Sequence, residues 1–499
     1  MILVAGAGTV GLSTALFLAH HGADVMVVEH REGPDVHPRA TGIGPRTAEL
    51  FRELGLQDAV NAAAIPMTGG LGKITASTLA AADLDALAAA APPGPVRMME
   101  RFADVSPAAL RGPCSQDRLD RVLLAAARER GVTVAYSTPL LSFTQDDAGV
   151  TAVLPGRTVR ADYLVAADGA RSGVREALGI GVSGPGALAG PLTNVLFEAD
   201  LSPYTGDHTF VTCDTDTGML VTIDGERTWV LHVPYEDGLT DARCRDLVRA
   251  AVGDPGLDVR VLGAAPWRVR GQLADRFRDG RVFLAGDAAH TVPPVGAFGM
   301  NTGVADAHNL AWKLAAVTAD TTADAVPAGL GLLDTYEAER RPVAALVLEQ
   351  ALLRLADPSL HWGTGPEAAA ARAAVGAVHA PVVHLGYRYD SSAIIDARPG
   401  LPSTEDLVLD GSPGSRVPHA WVADGVSTLD LVASRFTVFT NTESWMRAAE
   451  EAGLPAHLVS ADWIPEDGLL LVRPDGFVAL RTSDPSTDLR KAVHRLLGG

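Results

Sequence analysis

The sequence predicts an α/β protein in which a parallel sheet, assembled from separated segments, is interleaved with a second β-sheet and followed by a C-terminal α/β unit. Three observations predict this fold class. Residues 1–29 place a glycine-rich turn and a helical stretch between two apolar runs. Two later apolar runs each end on neighbouring acid and glycine residues. Residues 186–271 alternate apolar and polar side chains, as half-buried strands do.

The N-terminal segment has the pattern of a Rossmann-like βαβ unit. Residues 2–5 are predicted to form a buried parallel strand, and Gly6, Gly8 and Gly11 permit a tight turn and a close backbone approach. The helix that follows directs its first N–H groups at a pyrophosphate. Glu29 ends the second strand, where an acid binds ribose hydroxyls, and this makes a dinucleotide site more specific than the glycines alone. The alternative is a glycine-rich turn that binds no ligand.

Two later strand ends bear on which dinucleotide is bound. Residues 163–167 form an apolar strand that ends at Asp168, and Arg171 lies in the polar turn after it. Residues 282–285 form another strand, followed by Gly286 and Asp287. Asp287 is placed to accept hydrogen bonds from the ribityl hydroxyls of a flavin. The alternative for Asp168 is a strand-end cap.

The loop after Asp287 leads to a helix that the sequence predicts to start near Gly303. Backbone N–H groups of Gly299, Met300 and Asn301 lie at this helix N-terminus, where they would stabilise negative charge on a reduced isoalloxazine ring. The glycines of the loop would let that ring approach closely. These features favour FAD over NAD as the bound dinucleotide.

Three motifs together carry a family resemblance. The motifs are GAGTVG, the DG pair of ADGARS and the GD pair of LAGDAAH. Their order and spacing resemble those of the class A flavoprotein aromatic monooxygenases, which are para-hydroxybenzoate hydroxylase-like enzymes. Three further stretches resemble the aromatic-polyketide hydroxylase subgroup of actinobacteria: PRATGIGPRTAELFRELGL, CSQDRLDRVLLAAARERG and LGYRYDSSAI. The resemblance covers almost the whole chain.

The resemblance implies non-covalent FAD, with Asp168 and Arg171 serving both the flavin and NAD(P)H. The candidate cofactor-binding residues are Gly6, Gly8, Val10, Gly11, Glu29, His30, Arg39, Gln116, Asp168, Arg171, Asp287, Gly299, Met300 and Asn301. For Arg39 and Gln116 the alternative is an ordinary surface position. No second GxGxxG follows a strand, so the nicotinamide, NADPH rather than NADH, is expected to bind transiently.

The resemblance also implies an activity. It predicts a monooxygenase that consumes NAD(P)H and dioxygen and hydroxylates a polycyclic aromatic polyketide, or a related phenolic natural product, through a flavin hydroperoxide. Residues 293–299 are expected to seal the site, with the carbonyl of Pro294 facing the substrate hydroxyl. The alternative for this loop is a rigid turn only. His290 is expected to make a structural hydrogen bond rather than to act as a general base.

Other functions stay open at this point. The same scaffold supports Baeyer-Villiger or epoxidising oxygenation, because the pose of the substrate and the protonation state of the peroxide choose between them. A flavoprotein that binds its ligand without oxygenase activity is an alternative of another class. Halogenation is not favoured, since the partial echo of a halogenase WxWxIP segment, at residues 463–465, lies in the C-terminal tail.

The domain organisation follows from the need to bring the three motifs to one cofactor. The substrate sheet supplies candidate pocket residues, Phe210, Trp229 and His232, and the loop supplies Pro293 and Gly296; core packing is the alternative for the strand aromatics. The C-terminal unit resembles the thioredoxin-like tail of the polyketide hydroxylases, but without a CxxC motif. The predicted ranges are 1–65, 96–185 and 272–345 for the FAD-binding domain, 66–95 and 186–271 for the substrate domain, 346–399 for a helical connection and 400–499 for the tail.

Composition excludes several classes of partner. A net charge of −19 over 499 residues, without a basic cluster, argues against nucleic acid and anionic membranes as partners. The chain lacks a basic leader and an apolar run of about 20 residues, so we expect a cytoplasmic protein, monomeric or homodimeric. Cys114, Cys213 and Cys244 are too far apart to indicate a disulfide framework or a cysteine metal site, and no histidine cluster indicates a metal.

Overall fold

The computed structural model describes residues 1–38, 40–65, 70–90, 102–110, 112–188, 190–319, 328–363 and 365–499. Its strands, in chain order, are β1 Ile2–Ala5, β2 Val25–Val28, β3 Leu71–Thr75, β4 Thr133–Ala135, β5 Ser142–Asp146, β6 Gly149–Leu154, β7 Arg157–Ala161, β8 Tyr163–Ala166, β9 Val182–Ala187, β10 Leu192–Glu198, β11 Phe210–Asp214, β12 Met219–Thr222, β13 Thr228–Pro234, β14 Arg260–Trp267, β15 Arg270–Ala274, β16 Arg278–Asp279, β17 Val282–Leu284, β18 His290–Thr291, β19 Trp421–Ala423, β20 Val426–Ser427, β21 Thr437–Thr440, β22 Ala456–Leu458, β23 Leu469–Val472 and β24 Val478–Thr482.

The helices lie between these strands and between the sheets. They are α1 Thr9–His20, α2 Pro45–Glu53, α3 Gln57–Ala63, α4 Leu84–Ala90, α5 Gln116–Glu129, α6 Gly173–Ala177, α7 Ser202–Thr205, α8 Asp241–Val252, α9 Phe298–Thr318, α10 Asp334–Ala356, α11 Ser359–Trp362, α12 Pro366–Val375, α13 Ala380–Leu385, α14 Thr428–Val432, α15 Glu443–Glu451 and α16 Leu489–Leu496. Short 3-10 turns span Leu79–Ala81, Gly286–Ala288 and Leu330–Leu333. None of the helices in the described part of the chain has the length and apolar character needed to cross a membrane.

The central sheet has the strand order β16-β17-β8-β1-β2-β4 and is parallel except for the β16–β17 pair. Strands β1, β2 and β8 are buried along their whole length because helices and loops cover both faces. Ala5 pairs with both Val28 and Ala166. The glycine turn, Glu29 and the DG pair therefore meet at one edge of the sheet, where ligands of parallel sheets bind.

A second sheet has the strand order β14-β10-β13-β12-β11-β3. Strand β3 comes from the segment between α3 and α4 and pairs in parallel with β11. One face of the sheet packs on α8, with Leu231 and Val248 fully buried between them. On the opposite face, Leu196, Val221 and Val230 form a smaller cluster.

The remaining sheets complete the architecture. Strands β5–β7 form an antiparallel sheet, and β9, β15 and β18 form a ribbon that leads from the second sheet back to the central one. The C-terminal unit contains a four-stranded sheet, β22-β21-β23-β24, flanked by α15 and α16. The predicted α/β class, with a Rossmann-like sheet interleaved with a second β-sheet, is confirmed. The thioredoxin-like character of the tail and the domain boundaries stay predictions.

One boundary differs from the prediction. Helix α9 begins at Phe298, five residues before Gly303, because Gly296 (φ 93°) and Ala297 (φ 54°) turn the chain directly into the helix. Gly303 then lies inside the helix, where a Cβ atom would come within 2.6 Å of the Val10 side chain. Glycine at 303 is thus required by close packing and does not mark the start of the helix.

Candidate active site

The glycine turn after β1 has the geometry of a phosphate cradle. A Cβ atom on Gly6 would lie 2.2 Å from the carbonyl oxygen of Ala167, and one on Gly11 would lie 1.9 Å from the carbonyl oxygen of Gly6. These two glycines are therefore required for packing. A Cβ on Gly8 would meet no atom within 4 Å. The open side of the turn, at the N-terminus of α1, is the place where a pyrophosphate can approach the backbone.

Glu29 lies directly after β2 and is buried. Its carboxylate accepts hydrogen bonds from the Ala7 N–H (2.8 Å) and from the backbone and guanidinium of Arg31 (3.0–3.2 Å). Nδ1 of the exposed His30 lies 2.9 Å from the same carboxylate. Burial raises the pKa of Glu29, but the hydrogen bonds from Arg31 and Ala7 outweigh it and leave the pKa below its ordinary value. An ionised acid at this edge suits ribose hydroxyls.

The GD pair forms a 3-10 turn beneath the N-terminal cradle. Val10 packs against Gly286, where a Cβ atom would come within 2.8 Å of its side chain. Asp287 is exposed on this turn. The N–H of Gly286 donates to the buried carboxylate of Asp306 on α9 (3.1 Å). The turn is thus fixed to α9 through its backbone, and Asp287 is the exposed residue on it.

The loop before α9 is shaped by proline and glycine. Pro293 is buried, Pro294 is exposed, and the Pro294 carbonyl accepts a hydrogen bond from the Ala297 N–H (3.1 Å). Gly296 adopts positive φ, and a Cβ there would lie 2.4 Å from the ring of Phe298. Among the residues that the structure describes, no side chain caps α9. The first-turn N–H groups of α9, including those of Gly299 and Met300, are therefore free to face a ligand.

The side chain of Asn301 forms three hydrogen bonds at the start of α9. Its side-chain oxygen accepts from the Gly44 N–H (2.8 Å), and its amide nitrogen donates to the carbonyls of Gly42 (3.1 Å) and Ala297 (2.5 Å). The side chain therefore joins residues 40–44 to the start of α9. This role was not visible in the sequence, because the partners lie 257 positions apart.

Gln116 is the first residue of α5, and its N–H donates to the carbonyl of Ala40 (2.8 Å). Beside it, the buried atoms Ser115 Oγ and Asp117 Oδ1 have no hydrogen-bond partner within the described chain. Buried polar atoms of this kind normally have partners, so they indicate a ligand at this helix end. Arg39, the other candidate in this region, lies outside the described residues.

Asp168 partly serves as a cap. Its Oδ2 atom accepts from the N–H of Val174 (3.1 Å) at the start of α6, whereas its buried Oδ1 atom has no partner among the described residues. Burial raises the pKa of Asp168, against the opposing hydrogen bond from Ser172. Arg171 is exposed in the adjoining turn. Both residues lie at the sheet edge where the sequence put them.

A second buried acid was missed by the sequence analysis. Asp120 on α5 accepts a hydrogen bond from the hydroxyl of Thr9, the first residue of α1, at 2.5 Å. Burial raises the pKa of Asp120 to about 7, although the Thr9 hydrogen bond and the charge of Arg31 oppose this shift. Its signal in the sequence was an acid aligned with Leu123 and Ala127 on the apolar face of a helix.

The second sheet requires a correction of two pocket residues. Phe210 and Trp229 are buried, their ring centroids lie 5.7 Å apart, and both belong to the core between this sheet and α8. Both side chains therefore lie on the face of the sheet that packs against α8, opposite to the face that carries Val230 and His232. For both residues the alternative, core packing, applies. The alternation of apolar and polar side chains along a strand identifies residues that share a face, but it does not say which face meets the ligand.

His232 lies on the other face, with neighbours that the sequence analysis did not select. Asn194 on β10 is directly opposite His232, and Trp267 on β14 contacts its ring edge to face at 5.8 Å. His232 Nδ1, Asn194 Oδ1 and Trp267 Nε1 are buried without a hydrogen-bond partner in the described structure. Burial lowers the pKa of His232 to about 4, with a smaller effect of His37 from the segment after β2, so the ring is neutral.

The arrangement fits a bound flavin dinucleotide. The open turn at Gly8, the uncapped start of α9, the ionised Glu29 and the unpartnered oxygen of Asp168 supply room, N–H donors and acceptors at one edge. The face of the second sheet opposite α8 carries further buried polar atoms without partners in the described structure. This fold and this site define an FAD-binding flavoprotein.

Comparison with known proteins gives the family. Residues 1–351 match the FAD binding domain model, and residues 410–499 match the aromatic-ring hydroxylase C-terminal model. The chain is 41% identical to a putative polyketide hydroxylase of Streptomyces halstedii, over 97% of this chain and 93% of that protein. It is 37% identical to tetracenomycin A2 monooxygenase-dioxygenase of Streptomyces glaucescens, over 99% of this chain and 96% of that protein.

Solved structures agree with this assignment. The crystal structure of aklavinone-11 hydroxylase in a ternary complex with FAD and aklavinone superposes with a TM-score of 0.83 at 36% identity, and the match covers 100% of this chain and 99% of that one. The chain belongs to the FAD-binding family of aromatic-ring hydroxylases and is an FAD-dependent monooxygenase. The family predicted from the three motifs is confirmed.

Proposed function

We propose that this monooxygenase hydroxylates a polycyclic aromatic polyketide, or a related phenolic natural product, with NADPH or NADH as transient reductant and dioxygen as oxidant. The observation that carries the proposal is the row formed by Asn194, His232 and Trp267 on the face of the second sheet opposite α8, where three buried polar atoms have no hydrogen-bond partner in the described structure. An acceptor oxygen, a neutral imidazole and an indole N–H suit an aromatic molecule that bears hydroxyl and carbonyl groups.

The charge of this sheet favours a substrate without a carboxylate. Lys73 on β3 is already paired with Asp214 on β11 at 2.6 Å. His232 is neutral at physiological pH, because its pKa is about 4. Neutral donors and acceptors therefore do the binding, as a phenol or quinone requires. The names of the relatives, which are polyketide and tetracenomycin oxygenases, support the same substrate class.

The residues of the cofactor site have separate tasks in this proposal. When bound, FAD supplies the redox chemistry, taking hydride from the nicotinamide and activating dioxygen. Glu29 would bind the ribose and Asp287 the ribityl chain. The N–H groups of Gly299, Met300 and Asn301 would stabilise negative charge at the ring. Gln116, His30 and Arg39 would complete the cradle, and Asp168 with Arg171 would serve both the flavin and the nicotinamide.

The loop from Pro293 to Gly299 would seal the site and orient the substrate. The Pro294 carbonyl accepts a hydrogen bond from the Ala297 N–H with one lone pair, and its second lone pair is available to a substrate hydroxyl. Holding that hydroxyl fixes which ring carbon faces the activated oxygen. The buried Pro293 anchors one end of the loop, and Gly296 supplies the positive φ that turns it back toward α9.

The cellular compartment, oligomeric state and classes of partner also belong to the proposal. We propose a cytoplasmic monomer or homodimer, with no nucleic acid or membrane partner. Cys114, Cys213 and Cys244 are free and buried, which suits a reducing compartment.

NAD(P)H oxidation by the purified protein tests the proposal. The rate should increase at least tenfold when a hydroxylated polycyclic quinone is added, and much less with a carboxylated single-ring phenol of equal concentration. NADPH should be used faster than NADH. A rate that no member of a broad aromatic panel changes would contradict the oxygenase proposal and favour a flavoprotein that only binds its ligand.

A further inference from the structure

We propose that the C-terminal unit, residues 410–499, positions the flavin cradle by clamping helix α2, and that the Arg416–Glu49 ion pair is the centre of this clamp. The unit cannot act by thiol chemistry, because all three cysteines of the chain lie before residue 245. Its contacts with α2 instead indicate a role in positioning this helix.

The ion pair is buried and bidentate. Arg416 Nε and Nη2 donate to the two carboxylate oxygens of Glu49 at 3.0 and 2.6 Å. Glu49 also accepts from Arg46 Nη1 (2.9 Å), and Arg46 Nη2 donates to the carbonyl of Asp475 (2.8 Å). None of these three side chains is more than 8% exposed. The first two turns of α2 are therefore fixed to the C-terminal unit by groups that water does not reach.

The other end of α2 is held by the same unit. Arg52 makes a bidentate pair with Asp430 (2.9 and 2.8 Å), and Glu53 accepts from the hydroxyl of Ser434 (2.7 Å). Glu53 also faces His308 of α9 at 3.0 Å. The helix is thus bound at both ends.

Helix α2 continues directly from residues 40–44, which lie between the two helix ends predicted to face FAD. The carbonyl of Ala40 accepts from the Gln116 N–H at the start of α5, and Gly44 donates to Asn301 at the start of α9. Gly44 is also the residue that precedes α2. A displacement of α2 therefore moves residues 40–44 and disturbs both helix ends.

The packing around Gly44 leaves little room for such a movement. A Cβ atom there would lie 2.9 Å from Nδ1 of His384 and 3.3 Å from the side chain of Asn301. The clamp holds α2 itself, and this close packing confines Gly44 at the N-terminal end of the helix. The C-terminal unit therefore contributes to cofactor retention without touching the cofactor, and Arg416 is a positioning residue.

The test is the FAD affinity of Arg416→Gln compared with Arg372→Gln. Arg372 is equally buried and makes an equally close bidentate pair with Glu405 (2.8 and 2.6 Å), but the described structure contains no hydrogen bond or ion pair between this pair and α2. The dissociation constant of FAD is measured on apoprotein by flavin fluorescence, below the melting temperature of every variant. Amide hydrogen exchange of residues 40–53 is measured on the same apoproteins.

We expect Arg416→Gln to raise the FAD dissociation constant at least tenfold and to accelerate exchange in residues 40–53 while β1 and β8 stay protected. Arg372→Gln should lower the melting temperature without changing the dissociation constant more than twofold. A dissociation constant within twofold of the parent in Arg416→Gln, or equal losses in both variants, would overturn the proposal. If Arg416→Gln does not fold, Arg416→Lys, paired with Arg372→Lys, decides by the same criteria.

Discussion

His290 and Asp306 are joined inside the protein, with Nε2 of His290 2.7 Å from Oδ2 of Asp306 and both side chains fully buried. The same carboxylate accepts the Gly286 N–H and, through Oδ1, Nε of Arg340 (2.7 Å). Burial raises the pKa of Asp306, but Arg340 and His290 outweigh it and keep the acid ionised. One carboxylate thus ties the GD turn to α9, and His290 makes a structural hydrogen bond.

The first prediction concerns this carboxylate. Asp306→Asn leaves Arg340 without its buried counter-ion, so we expect a loss of about 3–5 kcal/mol in the unfolding free energy of the apoprotein. FAD retention after gel filtration should fall as well, because both flavin-facing segments depend on Asp306. Chemical denaturation and the flavin absorbance ratio measure these effects. Asp207→Asn, at an exposed carboxylate, is the control; equal stability of the two variants would contradict the role given to Asp306.

The glycine turn gives a second prediction. Gly8→Ala places a methyl group in open space at φ −85°, so the apoprotein should keep its melting temperature while FAD affinity falls by tenfold or more. Gly11→Ala drives a methyl group to 1.9 Å from the Gly6 carbonyl and should destabilise the fold itself. Calorimetry of apoprotein and flavin titration separate the two effects. Normal FAD affinity in Gly8→Ala would show that the pyrophosphate does not approach Gly8.

Asp287→Ala provides a third prediction. Asp287 is exposed on its turn, so its removal should not unfold the protein. Loss of an acceptor for the ribityl chain should nevertheless weaken FAD retention several-fold. The flavin content of the purified variant, set against its circular dichroism spectrum, measures this. Equal flavin occupancy in variant and parent would remove Asp287 from the cofactor site.

Asp120 makes stability depend on pH. Its pKa in the folded chain is about 7, above the ordinary value, so between about pH 4 and pH 7 the folded state binds more protons than the unfolded state. The unfolding free energy of the apoprotein should therefore fall as pH rises through this window, by up to about 1.4 kcal/mol per pH unit from this group.

Asp120→Asn should remove that contribution. The stability of the variant relative to the parent, measured by urea unfolding from pH 4.5 to 7.5, should increase with pH. Parallel stability curves for the two proteins would mean that Asp120 is ionised throughout, contrary to its burial.

The proposed substrate face, which carries Asn194, His232 and Trp267, gives a fifth prediction with a matched control on the same sheet. Trp267 and Trp229 both have a buried indole N–H without a hydrogen-bond partner in the described structure, on opposite faces. Trp267→Phe keeps an aromatic side chain, although a smaller one, and removes the donor, so the KM for a hydroxylated quinone should rise about tenfold, as loss of one hydrogen bond permits. Trp229→Phe should leave KM unchanged. Equal KM values for both variants would contradict the assignment of the substrate face.

Local steric patterns made part of this site predictable from the sequence. The spacing of Gly6, Gly8 and Gly11 is dictated by a turn in which two of the three have no room for a side chain. Strand β8 was predicted to within one residue because a buried parallel strand is a continuous apolar run. Family motifs then identified the cofactor.

Relationships between distant residues were not predictable in this way. The partners Thr9 and Asp120 are 111 positions apart, and no local rule brings them together. Alternation in β13 grouped Trp229 apart from His232 but gave no indication of which residue meets the ligand. The side-chain role of Asn301 and the links from Glu49 to the C-terminal unit likewise depend on tertiary packing alone.

Mass spectrometry of the product formed under ¹⁸O₂ shows where the oxygen atom is placed. We expect one labelled oxygen atom on an aromatic ring carbon of a phenolic polyketide, with flavin and NAD(P)H both required. A labelled oxygen atom inserted beside a carbonyl carbon would indicate Baeyer-Villiger oxygenation. A labelled oxygen atom in an epoxide would indicate the epoxidising alternative. Product without any label, or turnover that continues after FAD is removed, would contradict the account.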